Sequence, residues 1–125
     1  MRGIKIILFI TCLISGCQSK EDKVYNYENY VFQFSDSTGL IKFYAYRYDT
    51  SYKMLDFYWD KNRLQSRSFI KNNKRNGPSI IYGDNGIKWS VSNFKDGKLN
   101  GKEVTFGENG DTVSIAEYKN GVKVK

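Results

Sequence analysis

The chain has 125 residues, enough for one domain, and carries a net charge of +7 from 20 Lys and Arg against 13 Asp and Glu. It contains no histidine, and its two cysteines, Cys12 and Cys17, both lie near its start. Metal sites built from histidine and cysteine, and Ser-His or Cys-His catalytic arrangements, are therefore excluded from the body of the chain. We expect a protein that is not an enzyme and that uses no cofactor and no metal.

The start of the chain is typical of a targeting segment. Arg2 and Lys5 precede a continuous apolar run, residues 6–14, which only Thr11 interrupts. A membrane-spanning helix needs about 20 apolar residues, so this run fits the hydrophobic region of a signal peptide instead. The run ends in Leu13-Ile14-Ser15-Gly16-Cys17, which resembles a bacterial lipobox. We interpret residues 1–16 as a lipoprotein signal peptide and Cys17 as the lipid-attachment site.

An acylated Cys17 determines where the protein resides. Two or more acyl chains anchor a protein stably, whereas one gives marginal binding. Residues 17–24 then form the lipidated cysteine and a polar tether. Gln18 after the cysteine resembles outer-membrane sorting, and Lys20-Glu21-Asp22 resembles a surface-export tract or is an ordinary solvated linker. We expect a lipid-anchored protein of the bacterial envelope, in the outer membrane, facing the periplasm or the cell surface.

The first half of the mature chain is crowded with aromatic residues. Residues 30–34 and 40–48 are predicted to be two strands joined by a turn at residues 35–39, so residues 25–49 form a divergent opening hairpin. Residues 50–73 form a degraded repeat, with strand segments at 57–60 and 64–69. We interpret the dense rings as packing across neighbouring strands. An open aromatic face that binds protein or glycan is the alternative.

The second half is a tandem repeat. Residues 74–97 align with residues 98–121 without a gap, and nine of the 24 positions are identical. A fixed period of this size marks a repeat architecture in which one supersecondary unit stacks on copies of itself. Residues 122–125 form a tail.

Glycines recur at fixed places in both copies. Asn-Gly and Asp-Gly pairs favour tight hairpin turns, because those turns need a positive φ that glycine adopts without steric cost. We assign a purely structural role to these turn glycines, which are Gly77, Gly86, Gly97, Gly101, Gly110 and Gly121.

Short β-branched and aromatic stretches separate the turns, at residues 79–82, 87–94, 103–106 and 112–118. Alternation places Trp89 and Val91 on one face and Phe94 on the other. We therefore predict an all-β fold, in which stacked hairpins form an elongated single-layer antiparallel meander after a signal-peptide helix.

The turn and strand motifs resemble the bacterial variant of the MORN repeat. The resemblance rests on Tyr82-Gly83-Asp84-Asn85-Gly86 with Phe94-Lys95-Asp96-Gly97, and on Phe106-Gly107-Glu108-Asn109-Gly110 with Tyr118-Lys119-Asn120-Gly121. It implies β-hairpins stacked edge to edge and a role in interaction or scaffolding. Some bacterial members are labelled antitoxins, and eukaryotic relatives are linked to acidic phospholipids.

The repeat half is also the basic half. Residues 61–125 carry 13 basic and 6 acidic side chains, whereas residues 18–60 carry 5 and 7. A basic sheet suits an acidic protein, lipid or glycan, although exposed lysines also keep a sheet soluble. The candidate interaction surface comprises Trp89, Phe94, Phe106, Tyr118, Lys95, Lys98, Lys102 and Lys119.

These features favour a non-catalytic protein-interaction or scaffolding module anchored at Cys17. The alternatives are an immunity or antitoxin-like protein that neutralises a toxin, and binding of acidic lipid or glycan by the basic half. Besides the membrane, we expect an unidentified protein partner and no nucleic acid, because the chain is exported. An open edge at residues 122–125 allows a monomer or an edge-paired dimer.

Overall fold

The computed structural model describes residues 23–125, and these form one nine-stranded antiparallel sheet in sequence order. A short 3₁₀ helix, Tyr27–Asn29, precedes the sheet. The predicted all-β single-layer meander is confirmed. The predicted signal peptide, the predicted lipid-attachment site Cys17 and residues 18–22 of the predicted tether lie outside the described residues. The strands are β1 Tyr30–Ser35, β2 Ile41–Tyr46, β3 Tyr52–Asp60, β4 Arg63–Lys71, β5 Lys74–Tyr82, β6 Lys88–Lys95, β7 Lys98–Phe106, β8 Thr112–Lys119 and β9 Val122–Lys123.

Tight two-residue turns connect every second pair of strands in the repeat half. Asp96-Gly97 and Asn120-Gly121 both place two successive residues at positive φ, between 49° and 85°. Asn72-Asn73 does the same at 51° and 65°, although it contains no glycine. Positive φ at both central residues is the type I′ geometry that matches the twist of paired strands. The regular spacing of these turns therefore continues back to Asn72.

Wider turns close the β5–β6 and β7–β8 hairpins. Gly83 N–H donates to the Ile87 carbonyl at 2.9 Å, and Gly86 N–H donates to the Gly83 carbonyl at 3.0 Å. The turn at residues 107–111 repeats both bonds, at 2.8 and 2.9 Å. The opening hairpin has the inner bond as well, from Gly39 N–H to the Asp36 carbonyl at 3.1 Å, but closes one residue wider. The repeat unit is thus two strands, one wide turn and one tight turn.

The expectation of turns at Gly77 and Gly101 was wrong, because both glycines lie inside strands. Between the pairs Ser68↔Ser79 and Ile70↔Arg75, β5 has three residues where β4 has one. Strand β7 has the same excess opposite β6, one repeat later. These are β-bulges, and the φ angles of +101° at Gly77 and +107° at Gly101 accommodate the extra residues. Asn-Gly marks a positive φ in both settings, so the dipeptide alone does not separate a bulge from a turn.

The sheet buries a core only at its β1–β4 end. Tyr30, Tyr46, Tyr52, Met54 and Phe69 are buried together on one face. Residues 23–29 cross this face and cover it; we call them the strap, and the face beneath them the strapped face. The opposite, open face has no second layer among the described residues. A single-layer sheet therefore obtains its core by folding its own N-terminal segment over one end.

We predict that Gly110→Ala lowers the free energy of unfolding by about 1 kcal/mol, because Gly110 has φ +87° in an exposed turn and an L side chain is strained there. Urea unfolding monitored by circular dichroism measures the change. Glu108→Ala, in the same turn at ordinary φ, is the control and should stay within about 0.5 kcal/mol of the parent. Equal stability of the two variants would contradict the turn geometry.

Candidate interaction surface

The strap is attached to the sheet by apolar packing. Val24 is only 2% exposed and packs into the core cluster with Tyr30 and Phe69. The ring of Tyr25 meets Phe69 edge to face, with centroids 5.3 Å apart. The predicted polar tether, residues 17–24, is therefore wrong at its last residue, because Val24 belongs to the folded domain.

A buried ion pair lies under the strap. The Asp56 carboxylate is 0% exposed and accepts two hydrogen bonds from the Arg67 guanidinium, from Nε and Nη2, each at 2.7 Å. The guanidinium lies 4.7 Å from the ring centroid of Tyr27, so the strap covers it through a cation–π contact. Bidentate geometry and the aromatic cover offset part of the cost of removing both charges from water.

Tyrosines surround this ion pair. Burial, followed by the charge of Asp56 and contact with Tyr44, raises the pKa of Tyr58 to about 12. Burial also raises the pKa of Tyr82 above its ordinary value. Burial opposes the charge of Arg67, yet the hydrogen bonds and charge of Asp56 raise the pKa of its guanidinium. At neutral pH Tyr58 and Tyr82 are uncharged, and the Asp56 carboxylate is balanced by the Arg67 guanidinium.

An apolar ladder continues along the strapped face beyond the strap. Directly paired residues lie on the same face of a sheet, so the register places Ile80, Val91, Val104 and Ile115 on the face of Arg67. Ile80, Val91 and Val104 are half-buried, whereas Ile115, the last residue of the ladder, is 57% exposed. Residues 23–29 cover one end of the strapped face, and they leave an apolar surface open at the other end.

The open face is more polar in the repeat half. Its cross-strand row runs Ser68, Ser79, Ser92, Glu103 and Ala116. The hydroxyls of Ser68 and Ser79 are 3.1 Å apart, and Ser92 donates to Glu103 at 3.0 Å. This row satisfies its polar groups within the sheet, so the strapped face is the more apolar of the two.

The predicted aromatic surface is divided between the two faces. Phe106 lies on the strapped face, two residues beyond Val104 in an unbulged stretch of β7. Phe94 and Tyr118 alternate onto the open face, where the Arg75 guanidinium lies 5.2 Å from the Phe94 ring. The structure therefore does not bring these three aromatic rings together, as a single aromatic surface would require.

Trp89 is the extra residue of a bulge in β6. Its indole lies against Gly83, where any Cβ would overlap the ring, and it remains 49% exposed. Val113 occupies the equivalent place against Gly107 and is 64% exposed. The glycine that opens each wide turn therefore makes room for an exposed apolar side chain from the following strand.

The predicted lysines, Lys95, Lys98, Lys102 and Lys119, are all exposed. Lys95 and Lys98 are directly paired across one tight turn, and Lys71 and Lys74 are paired across another. Like charges directly opposite each other destabilise a sheet. Two such pairs, at equivalent places in successive repeats, put a concentrated positive charge along the tight-turn edge.

The bulges hold side chains that sequence reasoning missed. Asn76 Oδ1 accepts a hydrogen bond from Asp96 N–H at 3.4 Å, and Asn100 Oδ1 accepts from Asn120 N–H at 3.2 Å. The asparagine of each bulge therefore fixes the next tight turn. Asn76 Nδ2 also donates to the Tyr25 hydroxyl at 2.8 Å. The only sequence signal for these roles is the repeated Asn-Gly pair, which is equally typical of turns.

Within residues 23–125, no three metal-ligating side chains come together. A cleft of about 660 Å³ on the open face, between Phe34, Phe43, Leu55 and Ile70, is lined mainly by apolar side chains. No helix in this part of the chain has the length and apolarity to cross a membrane.

We predict that Asp56→Asn lowers the free energy of unfolding by about 3–5 kcal/mol, because it leaves the buried Arg67 charge unpaired. The double variant Asp56→Leu with Arg67→Met should lose less than the single variant, because apolar side chains of similar size leave no buried charge. A double-mutant cycle with Asp56→Leu, Arg67→Met and their combination, followed by urea unfolding, measures the coupling. Additive losses would show that the pair does not act as a unit.

Comparison with known proteins assigns no family to this sheet. No protein-family model matches the chain, and a search of curated proteins returned no significant match. The observed repeat of two strands and two turns rests on the chain's own geometry. The likeness to the MORN repeat accordingly rests on the motifs at residues 82–97 and 106–121.

Proposed function

We propose that this chain is a membrane-anchored lipoprotein whose MORN-like repeat sheet is a non-catalytic protein-interaction module. The observation that carries the proposal is the uncovered end of the strapped face. There Ile115 is 57% exposed at the end of the apolar ladder, and the bulge residues Trp89 and Val113, beside the wide turns of the same sheet, are 49% and 64% exposed. Neighbouring exposed apolar side chains of this kind are typical of protein-binding surfaces.

The strap supports the same proposal. On the strapped face of β3–β5, an aromatic-rich segment of the chain packs onto the sheet through Val24, Tyr25 and Tyr27. The remaining ladder is built from the same kind of paired apolar residues, without such a cover among residues 23–125. A partner segment would gain there what the strap gains at the other end, namely burial of apolar area at about 25 cal/mol per Å².

Binding of acidic lipid or glycan is the second candidate, favoured by the tight-turn edge. The directly opposed pair Lys95↔Lys98 costs sheet stability unless an anion neutralises it. Equivalent turns are separated by two strands, about 10 Å, so the positive charges recur at that interval. A polyanionic surface would meet several of these lysines at once.

A capture experiment with paired variants tests the interaction role. The tagged full-length chain is solubilised in mild detergent and incubated with envelope extract. The amount of partner captured by the Ile115→Lys variant is compared with the amount captured by the Ser114→Lys variant. The two variants add the same charge to neighbouring positions of β8 that face opposite sides of the sheet. We expect Ile115→Lys to reduce the captured partner at least tenfold and Ser114→Lys to retain it.

Capture of nothing by the parent chain, or equal capture by both variants, would contradict the proposed surface. For the second candidate, Lys98→Glu should weaken binding to anionic vesicles, and added salt should do the same. If neither Lys98→Glu nor added salt weakened vesicle binding, the tight-turn edge would be excluded as the lipid-binding site.

The anchor has its own test. We predict that Cys17→Ala moves the protein from the membrane fraction to the soluble fraction, because the site of acylation is lost. Immunoblotting of fractionated cells measures the distribution, and Ser19→Ala, next to the same site, is the control. A Cys17→Ala protein that stays in the membrane fraction would show that the lipobox interpretation is wrong.

A further inference from the structure

One bulge of the sheet already binds a tyrosine. The ring of Tyr25 lies directly on Gly77, so closely that a Cβ at Gly77 would overlap three ring carbons. Phe69 forms the wall with an edge-to-face contact at 5.3 Å, and Asn76 Nδ2 donates to the tyrosine hydroxyl at 2.8 Å. The site is shaped for a phenol: Gly77 forms its floor, the Phe69 ring forms its wall, and the Asn76 amide donates to the hydroxyl at its far end.

The next bulge, in the following repeat, has the same construction. Gly101 has φ +107°, against +101° at Gly77, and both sit in the same three-against-one register shift. Asn100 corresponds to Asn76 and uses its Oδ1 in the same way, toward the following tight turn. Among the described residues, Asn100 Nδ2 has no hydrogen-bond partner, so the donor that Asn76 gives to Tyr25 is available here.

The surface over Gly101 is open. A Cβ built at Gly101 meets only the Cβ of Asn93, at 3.5 Å. A cleft of about 470 Å³ runs across both bulges, with Tyr25, Gly77, Asn93 and Gly101 among its walls. Asn93 occupies the position equivalent to Phe69 of the first site. Its Nδ2 donates a hydrogen bond to the Lys102 carbonyl at 3.0 Å. A second ring placed over Gly101 would therefore lie beside the ring of Tyr25.

We propose that the Gly101 bulge is a binding site for a tyrosine side chain from an acidic segment of a partner protein. This inference rests on the proposed interaction role and names the ligand class for it. The phenol ring would lie on Gly101 with its hydroxyl at Asn100 Nδ2, as Tyr25 lies on Gly77. The template is the chain's own strap, in which the tyrosine is held by the equivalent residues.

Charge favours an acidic segment. Lys95 lines the cleft, and Lys98 and Lys102 are exposed on the adjoining strand. The sequence around Tyr25 is itself acidic, with Glu21 and Asp22 before it and Glu28 after it. Opposite charges on the two partners raise the association rate and fix the register of binding.

A peptide with the sequence of residues 21–29, EDKVYNYEN, is the probe, labelled and titrated by fluorescence anisotropy against the full chain in mild detergent. We expect saturable binding, weakened at least tenfold when the tyrosine at the place of Tyr25 is replaced by alanine. Replacing the one at the place of Tyr27 should matter less, because its cationic contact Arg67 corresponds to Val91 in the second unit.

Two glycine variants separate the site from general strain. Gly101→Ala puts a methyl group where the ring would lie and should abolish binding. Gly110→Ala carries a comparable backbone penalty at φ +87° in a turn with nothing within 4 Å of its Cβ, and it should bind as the parent does. Asn93→Phe restores the aromatic wall of the first site and should tighten binding roughly two- to tenfold, as an edge-to-face contact does.

Unchanged binding by Gly101→Ala, or equal loss in Gly110→Ala, would overturn the assignment. A dimer of the full chain that Gly101→Ala abolishes, measured by sedimentation without peptide, would assign the site to a second copy's strap and also overturn it. The capture experiment with Ile115→Lys tests a different part of the strapped face. A partner still captured when the peptide fails would leave the interaction role standing, whereas peptide binding without capture would remove that role and keep the bulge site.

Discussion

The Asp56–Arg67 ion pair under Tyr27 is the constraint around which one end of the molecule is arranged. A single-layer sheet has no second layer to exclude water, yet the Asp56 carboxylate is fully buried. Burial of that charge requires its partner, held at 2.7 Å by two hydrogen bonds, and a cover, which the strap supplies. The pair therefore specifies where the strap lies. A strap placed elsewhere would leave the Arg67 guanidinium uncovered above the buried Asp56 carboxylate.

The bulges extend this order into the repeat half. Each asparagine joins its own strand to the tight turn of the next hairpin, and each following glycine gives the positive φ that makes the extra residues fit. The hydrogen bond joins the first strand of each unit to the tight turn that ends the same unit, so each unit is closed by geometry as well as by the strand ladder. The same bulge leaves a flat glycine surface, which the strap uses at Gly77. One device thus serves stability in both units and side-chain recognition in the first.

Much of the fold followed from local pattern. Strands β1, β2, β4, β6 and β8 and the tight turns at Asp96-Gly97 and Asn120-Gly121 were predictable, because positive φ and alternating apolar residues leave direct marks in the sequence. The bulges at Gly77 and Gly101 were not, because Asn-Gly has the same local preference in a strand and in a turn, and only the register decides. The hydrogen bond from Asn76 to Tyr25 joins positions far apart in the chain. No periodicity marks such a contact, so the bulge sites were missed and the aromatic surface was assigned to one face instead of two.

Because the core is restricted to β1–β4, the two ends of the sheet differ in their resistance to local opening. Strands β6, β7 and β8 are each held by two neighbouring strands, and the bulge hydrogen bonds reach the turns after β6 and β8, without a packed layer among residues 23–125. Stability in such a one-dimensional array is close to a sum of nearest-neighbour terms, so the free energy of local opening should decrease from the strapped end toward β8. The apolar ladder lies on the most easily deformed strands, which can alter their twist to fit a bound surface while the strapped end keeps its shape.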